Sequence, residues 1–139
     1  MTNKTIAVVT GASRGAGKGI AIALGTTGAT VYVTGRSVSG KESPVGGSVA
    51  ETAAAVDAAG GKGMAVPVDH ADDATVAALF KRATNEHGRL DILVNNAAKL
   101  VAIEHCQPPV CSESAVFYQR IAQSSKRIRL SSMNVSYNL

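Results

Sequence analysis

The sequence feature that most constrains the fold is the stretch from Lys4 to Gly28, where an apolar run leads directly into closely spaced glycines. The run Ile6-Ala7-Val8-Val9 is followed by Thr10-Gly11-Ala12-Ser13-Arg14-Gly15-Ala16-Gly17 and then by apolar residues at helical spacing. A buried strand, a glycine-rich turn and a helix in this order direct the free N–H groups of the helix toward the turn. Because such groups bind anions, the stretch predicts a pyrophosphate-binding turn.

The alternation of strand and helix continues to residue 94. The first helix is predicted from Gly15 to Thr27, with Gly28 as its stop and with Ile20, Ala21, Ala23 and Leu24 on its buried side. The later elements are a strand over Thr30–Thr34, a helix from the capping box Ser48-x-x-Glu51 to Ala59, a strand over Gly63–Val68, a helix from Asp72-Asp73 to His87 with a core stripe of Val76, Leu79, Phe80 and Ala83, and a strand over Leu90–Val94.

This order predicts an α/β fold: a Rossmann-like parallel sheet with strand order 3-2-1-4 and flanking helices. Pro67 supports that order, because a residue without an N–H fits an edge strand and the third strand lies at an edge. The fourth strand is almost wholly apolar, as expected of a strand covered by helices on both faces.

After Lys99 the regular pattern is lost. Residues 1–98 hold nine Lys/Arg and eight Asp/Glu, whereas residues 99–139 hold five and two, so the net charge of +4 lies mostly in the second segment. We therefore predict a Rossmann-like dinucleotide-binding region over 1–98 and an atypical, basic, weakly structured tail over 99–139. Its cations, among them Lys126, Arg127 and Arg129, are too few to favour nucleic-acid binding.

No charged and apolar leader precedes the first strand, and no apolar run approaches membrane-spanning length. We expect a cytoplasmic, soluble protein with no membrane partner. Cys106 and Cys111 are expected to be reduced thiols. Together with His105 they match no established zinc spacing, so no metal site is predicted.

Two separated motifs give the chain a clear resemblance to the N-terminal half of the short-chain dehydrogenase/reductase family. Thr10-Gly11-x-x-x-Gly15-x-Gly17 is similar to the cofactor loop of that family, and Asn95-Asn96-Ala97 is similar to its N-N-A segment after the fourth strand. Asp69, after the third strand, fits a further family position near the adenine. The resemblance covers about residues 4 to 98, and it implies a fold that is truncated relative to the full family fold.

The resemblance implies a nicotinamide dinucleotide cofactor held by the glycine loop, including Ser13, Arg14 and Ala16. In physical terms Gly11 permits the turn, Gly15 lets the backbone approach the pyrophosphate, and Gly17 allows close packing of the helix. The family likeness gives Asn95 the role of steadying the sheet near the cofactor, and it implies that Ala97 lets the ribose come close to the backbone. Asp69 either orients the adenine or serves as an ordinary turn residue.

Charge at the end of the second strand favours NADP over NAD. An acidic residue there would accept hydrogen bonds from the ribose hydroxyls of NAD, but the sequence has Gly35-Arg36. Arg14 lies in the glycine loop, so two guanidinium groups are available for a 2′-phosphate. The alternative is that Arg14 and Arg36 are ordinary surface cations.

No catalytic residue is assigned. Enzymes of the family use a Tyr-x-x-x-Lys pair, and none of Tyr32, Tyr118 and Tyr137 is followed by Lys at the fourth position. Ser131-Ser132 is interpreted as part of a polar tail.

Two hypotheses of function follow. The first is an NADP-dependent oxidoreductase scaffold that moves hydride between the cofactor and a small carbonyl or alcohol substrate, provided that a catalytic half is supplied. The second is a noncatalytic nucleotide-binding fragment produced by truncation or by a changed reading frame after codon 98. In either case the fourth strand is an uncovered sheet edge, and it predicts homo-oligomers or other association.

Overall fold

The computed structural model describes residues 4–39 and 46–98, which form one parallel sheet with helices on both faces. The elements are β1 (Ile6–Val9), α1 (Gly15–Thr26), β2 (Thr30–Gly35), α2 (Val49–Ala58), β3 (Lys62–Pro67), α3 (Asp73–His87) and β4 (Ile92–Val94). The sheet order is β3-β2-β1-β4, and all three strand pairs are parallel. The predicted α/β fold and strand order are confirmed. Pro67 lies on an edge strand, as its missing N–H requires.

Two apolar cores lie on opposite faces of this sheet, because successive residues of a strand point to opposite sides. One core joins Ile6, Val8 and Tyr32 to the apolar stripe of α3, and all four residues predicted for that stripe are buried. The other joins Ala7, Val9, Val31 and Val33 to α1 and α2. Burial on both faces explains why every residue of β1 and β2 is buried, instead of every second one.

The prediction for α1 is wrong at one position, because Ala23 is exposed. The buried residues of α1 are Gly17, Ala21 and Gly25, which recur every four residues on one side of the helix. A Cβ on Gly25 would lie 3.0 Å from the carbonyl oxygen of Val56 in α2. Gly25 therefore faces α2 and lets the two helix backbones approach closely.

The ends of α2 and α3 follow the sequence closely. The Ser48 hydroxyl accepts a hydrogen bond from the Glu51 N–H, and the Glu51 carboxylate accepts one from the Ser48 N–H, both at 3.1 Å. This is the predicted capping box. Asp72 caps α3 by accepting from the Ala74 N–H at 2.9 Å, and Gly88 ends that helix with φ of +69°.

A polar clamp joins the starts of β1 and β4. The Asp91 carboxylate accepts hydrogen bonds from the Ile6 N–H at 2.8 Å and from the Arg89 Nε at 3.1 Å. Arg89 also donates from Nη2 to the Lys4 carbonyl at 2.6 Å. The clamp explains the one charged residue in an otherwise apolar segment.

No helix in the part of the chain described by the structure is long and apolar enough to cross a membrane.

Candidate cofactor-binding site

The candidate site lies at the carboxyl ends of the parallel strands, where the loops after β1, β2, β3 and β4 meet. In open α/β sheets this edge is where ligands bind. Most of the residues predicted for the site lie in these loops: the glycine turn after β1, Arg36 after β2, Asp69 after β3, and Asn95 and Ala97 after β4.

The glycine turn has the conformation that its sequence predicts. Gly11 and Gly15 have φ of +63° and +56°, a region that disfavours residues with a Cβ. A Cβ on Gly17 would lie 2.5 Å from both the Asn96 Nδ2 and the Gly11 carbonyl oxygen, so Gly17 is required for close packing of α1. A Cβ on Gly15 would have no heavy atom within 4 Å, so the turn is open at this point.

The start of α1 differs from the starts of the other two helices in the described ranges. Its N-cap residue, Arg14, makes no side-chain capping hydrogen bond, and its first turn holds no acidic residue. In contrast, α2 and α3 have Ser48 and Asp72 as caps and an acidic residue in the first turn. Neither its cap nor its first turn therefore offsets the positive end of the α1 dipole, and Gly15 and Ala16 are exposed there. This arrangement fits the pyrophosphate of a dinucleotide.

Thr10 and Asn96 connect the end of β1 to the end of β4. The Thr10 hydroxyl accepts hydrogen bonds from the N–H groups of Asn96 and Ala97, both at 2.9 Å, and donates to the Val94 carbonyl at 3.2 Å. The Asn96 Nδ2 donates to the carbonyls of Thr10 at 3.0 Å and Gly11 at 3.1 Å. These bonds fix the first glycine of the turn against the loop after β4.

Asn96 is the asparagine whose side chain joins the ends of β1 and β4, and the role predicted for Asn95 near the cofactor stays a prediction. Asn95 is exposed, whereas the amide of Asn96 bridges two backbone carbonyls. The backbone of Ala97 lies against the glycine turn, since a Cβ on Gly11 would lie 2.8 Å from the Ala97 Cα. The approach of a ribose to Ala97 stays a prediction.

Arg14 reaches the end of β2. Its Nη2 donates a hydrogen bond to the Ser37 hydroxyl at 2.9 Å, and Arg36, next to Ser37 in the chain, is exposed. Ser37 itself is buried, and its carbonyl accepts from the Val49 N–H at 2.9 Å. The two guanidinium-bearing residues predicted for a 2′-phosphate are thus brought to the same strand end. Ser37 was not predicted, because nothing in the sequence pairs a serine with an arginine 23 residues earlier.

The loop after β3 contains the predicted Asp69 and an unpredicted histidine. The Asp69 Oδ1 accepts from the Ala71 N–H at 3.0 Å, so this exposed carboxylate shapes the turn before α3. The His70 Nε2 lies 3.0 Å from the Thr34 hydroxyl. Burial lowers the pKa of His70 to about 4, with the Arg36 charge acting in the same direction and the Asp69 carboxylate opposing both.

Tyr32 lies away from this site, on the face of the sheet that packs against α3. Its hydroxyl donates to the Glu86 carboxylate, and burial raises the pKa of the phenol. Glu86 also accepts from the Arg82 Nε at 2.7 Å. The tyrosine is therefore part of the packing between β2 and α3.

Comparison with known proteins gives consistent matches. A family model described as short chain dehydrogenase matches residues 5–118. The chain is 43% identical over 93 residues to dehydrogenase/reductase SDR family member 1 of Mus musculus, covering 66% of this chain and 27% of that protein. It is 43% identical over 97 residues to the ketoacyl reductase HetN of a Nostoc species, covering 70% of this chain and 31% of that protein.

Solved structures share the fold. A variant of a Serratia marcescens short-chain dehydrogenase/reductase matches with a TM-score of 0.70 and 30% identity, covering 91% of this chain and 54% of that one. An NADH-dependent reductase crystallised with NAD matches with a TM-score of 0.68, and its 21% identity indicates likeness of fold alone. The matched segment spans 27 to 31% of the length of these two relatives and about half of the length of the two solved chains.

Proposed function

The chain belongs to the short-chain dehydrogenase family, and on that premise we propose that residues 4–98 hold NADP(H) as the cofactor-binding part of an oxidoreductase. The glycine turn and the open N-terminus of α1 would hold the pyrophosphate. Thr10, Asn96 and Ala97 would fix the loop beside the nicotinamide-side ribose. When bound, the cofactor would supply or accept the hydride, and these residues would bind and orient the cofactor.

The observation that carries the preference for NADP is the contact of Arg14 with Ser37. It brings one guanidinium to the end of β2, where Arg36 provides a second and where the sequence has no acidic residue. A guanidinium forms charge-assisted hydrogen bonds with a phosphate monoester, whereas it gives little to a ribose hydroxyl pair. Asp69 is proposed as the neighbour of the adenine, with its carboxylate already engaged in the turn.

Calorimetric titration with NADP⁺ and NAD⁺ tests this proposal. We expect tighter binding of NADP⁺, and we expect Arg36→Ala to weaken NADP⁺ about tenfold or more while leaving NAD⁺ nearly unchanged, as for the loss of a charged hydrogen bond. Lys62→Ala removes an exposed cation at the opposite end of the sheet and serves as the control. Equal affinities for the two cofactors, or no binding of either, would contradict the proposal.

A second candidate function, noncatalytic nucleotide binding, is favoured by the sequence itself, since these 139 residues contain no Tyr-x-x-x-Lys. General acid catalysis needs a proton donor within reach of the substrate oxygen. Under this proposal the chain alone binds NADPH without consuming it in the presence of carbonyl substrates. Robust turnover by the purified chain would reject it.

Translation of the coding DNA in its other two frames tests the origin of residues 99–139. If a frame change separates them from a catalytic half, one of those frames contains a serine-bearing strand and a Tyr-x-x-x-Lys. The family model matches through residue 118, so the search of the other two frames begins at codon 98 and extends past codon 118. Absence of both motifs from both frames rejects the frame change.

A further inference from the structure

We propose that Ser37 is a positioning residue that holds the Arg14 guanidinium ready for a 2′-phosphate and thereby contributes to cofactor selectivity. The inference rests on the proposed function, because it concerns the same site. It concerns a residue that does not belong to the glycine turn or to the arginine pair.

The backbone of Ser37 is held in place by burial and by a hydrogen bond to α2. Only 6% of the residue is exposed, and its carbonyl accepts a hydrogen bond from the N–H of Val49, the first residue of α2. That helix start is itself held by the capping box of Ser48 and Glu51. The hydroxyl of Ser37 therefore belongs to a rigid junction between β2 and α2, instead of a free loop.

Arg14 is restrained from two directions at this junction. Its Nη2 donates to the Ser37 Oγ at 2.9 Å. On the other side, Gly47 packs so closely that a Cβ there would lie 3.2 Å from the Arg14 Cβ and 2.5 Å from the Ser13 carbonyl oxygen. A long, flexible side chain is thus held in one direction before any ligand arrives, which reduces the entropy lost on binding.

The hydroxyl chemistry also suits a phosphate. The Ser37 Oγ accepts from the guanidinium, so its own proton remains available to a further acceptor. A phosphate monoester presents acceptor oxygens only and carries negative charge, so both Arg14 and Ser37 can donate to it. An uncharged ribose 2′-hydroxyl cannot form charge-assisted hydrogen bonds of this kind with Arg14 and Ser37. The site therefore selects the ligand that carries the 2′-phosphate.

Titration of adenosine 2′,5′-bisphosphate and of AMP separates this role from simple packing, because the two ligands differ only by the 2′-phosphate. We expect Ser37→Ala to weaken the bisphosphate about tenfold and to leave AMP unchanged. Ser37→Thr retains the hydroxyl and is expected to restore most of the preference. In an Arg14→Ala background, Ser37→Ala should have little further effect on the bisphosphate, since its partner is gone.

Thr52→Val is the matched control, because it removes another buried hydroxyl of α2, one that has no hydrogen-bond partner among the described residues. It should leave the ratio of the two affinities unchanged. Equal weakening of both ligands by Ser37→Ala, or an unchanged ratio, overturns the positioning role while leaving the proposed cofactor site intact. If the unmodified chain binds neither ligand, the proposed function fails and this inference fails with it.

Discussion

At the scale of single residues, two glycines of α1 lie two positions apart and have opposite surroundings. A Cβ on Gly17 would lie 2.5 Å from the Gly11 carbonyl, whereas a Cβ on Gly19 would meet nothing within 4 Å. We expect Gly17→Ala to cost about 2 kcal/mol of unfolding free energy through overpacking and to impair cofactor binding. Gly19→Ala should stabilise the helix by about 0.5 to 1 kcal/mol. Urea denaturation of both variants measures this, and equal effects would refute the packing argument.

The second prediction at this scale concerns His70 and pH. Its pKa is lowered from 6.5 to about 4 in the folded chain, so the unfolded chain takes up a proton at higher pH than the folded chain does. Protonation therefore favours unfolding, and the stability of the fold decreases as the pH falls from 6.5 to about 4. The groups that set this pKa besides burial are Asp69, which raises it, and Arg36, which lowers it.

Urea denaturation at several pH values within that window, together with an NMR titration of the imidazole, checks the prediction for His70. His70→Asn should lose less stability between pH 6.5 and 4 than the unmodified chain, because no proton is taken up at this position. His87→Asn, in the last turn of α3, provides a histidine control. Parallel pH profiles for the unmodified chain and His70→Asn, or an imidazole pKa near 6.5, would contradict the assigned cause.

At the scale of elements, signals that lie within one helix are predictable from the sequence, whereas the close contact between α1 and α2 is not. The Ser48–Glu51 capping box depends on residues within one turn, so its spacing suffices to predict it, and the acidic pair Asp72-Asp73 likewise indicates the start of α3. The buried side of α1 depends instead on its contact with α2. Gly25 of α1 has no side chain and therefore packs against α2, whereas Ala23 is exposed to solvent. An apolar stripe cannot reveal such a contact, because glycine contributes nothing to it.

The clamp at Asp91 carries the prediction at this scale. Its carboxylate accepts from the Ile6 N–H and the Arg89 Nε, and thus joins the starts of two strands that are 85 residues apart in sequence. We expect Asp91→Ala to lower the unfolding free energy by about 1 to 3 kcal/mol, because the Ile6 N–H loses its acceptor. Asp91→Asn retains an acceptor oxygen and should cost less. Equal stability of the two variants, measured by urea denaturation, would show that the clamp does not depend on this acceptor.

At the scale of the whole molecule, the site is assembled by the fold from loops that are distant in the chain. Its glycine turn is local, so the sequence predicts it well. Ser37, His70 and the choice between Asn95 and Asn96 depend on which loops meet at the carboxyl edge of the sheet. Two adjacent asparagines after one strand look alike in sequence, and only the position of Thr10 just after the neighbouring strand β1 distinguishes them. The cofactor class is therefore predictable from motifs, whereas the residues that support the motifs are not.

The sheet edge at β4 leads to the last prediction. Within residues 4–39 and 46–98, β4 pairs with β1 alone, and the Val94 carbonyl accepts from the Thr10 N–H on the β1 side. Because successive residues of a strand direct their N–H and C=O groups to opposite sides, the Leu93 N–H points away from β1. In dilute solution we expect the Leu93 amide to exchange its hydrogen much faster than that of Val8, whose strand is paired on both sides. If copies of the chain associate through this edge, sedimentation will show larger species as concentration rises and the Leu93 exchange will slow in parallel. Equal protection of Leu93 and Val8 in the dilute monomer would instead mean that the chain covers the edge itself.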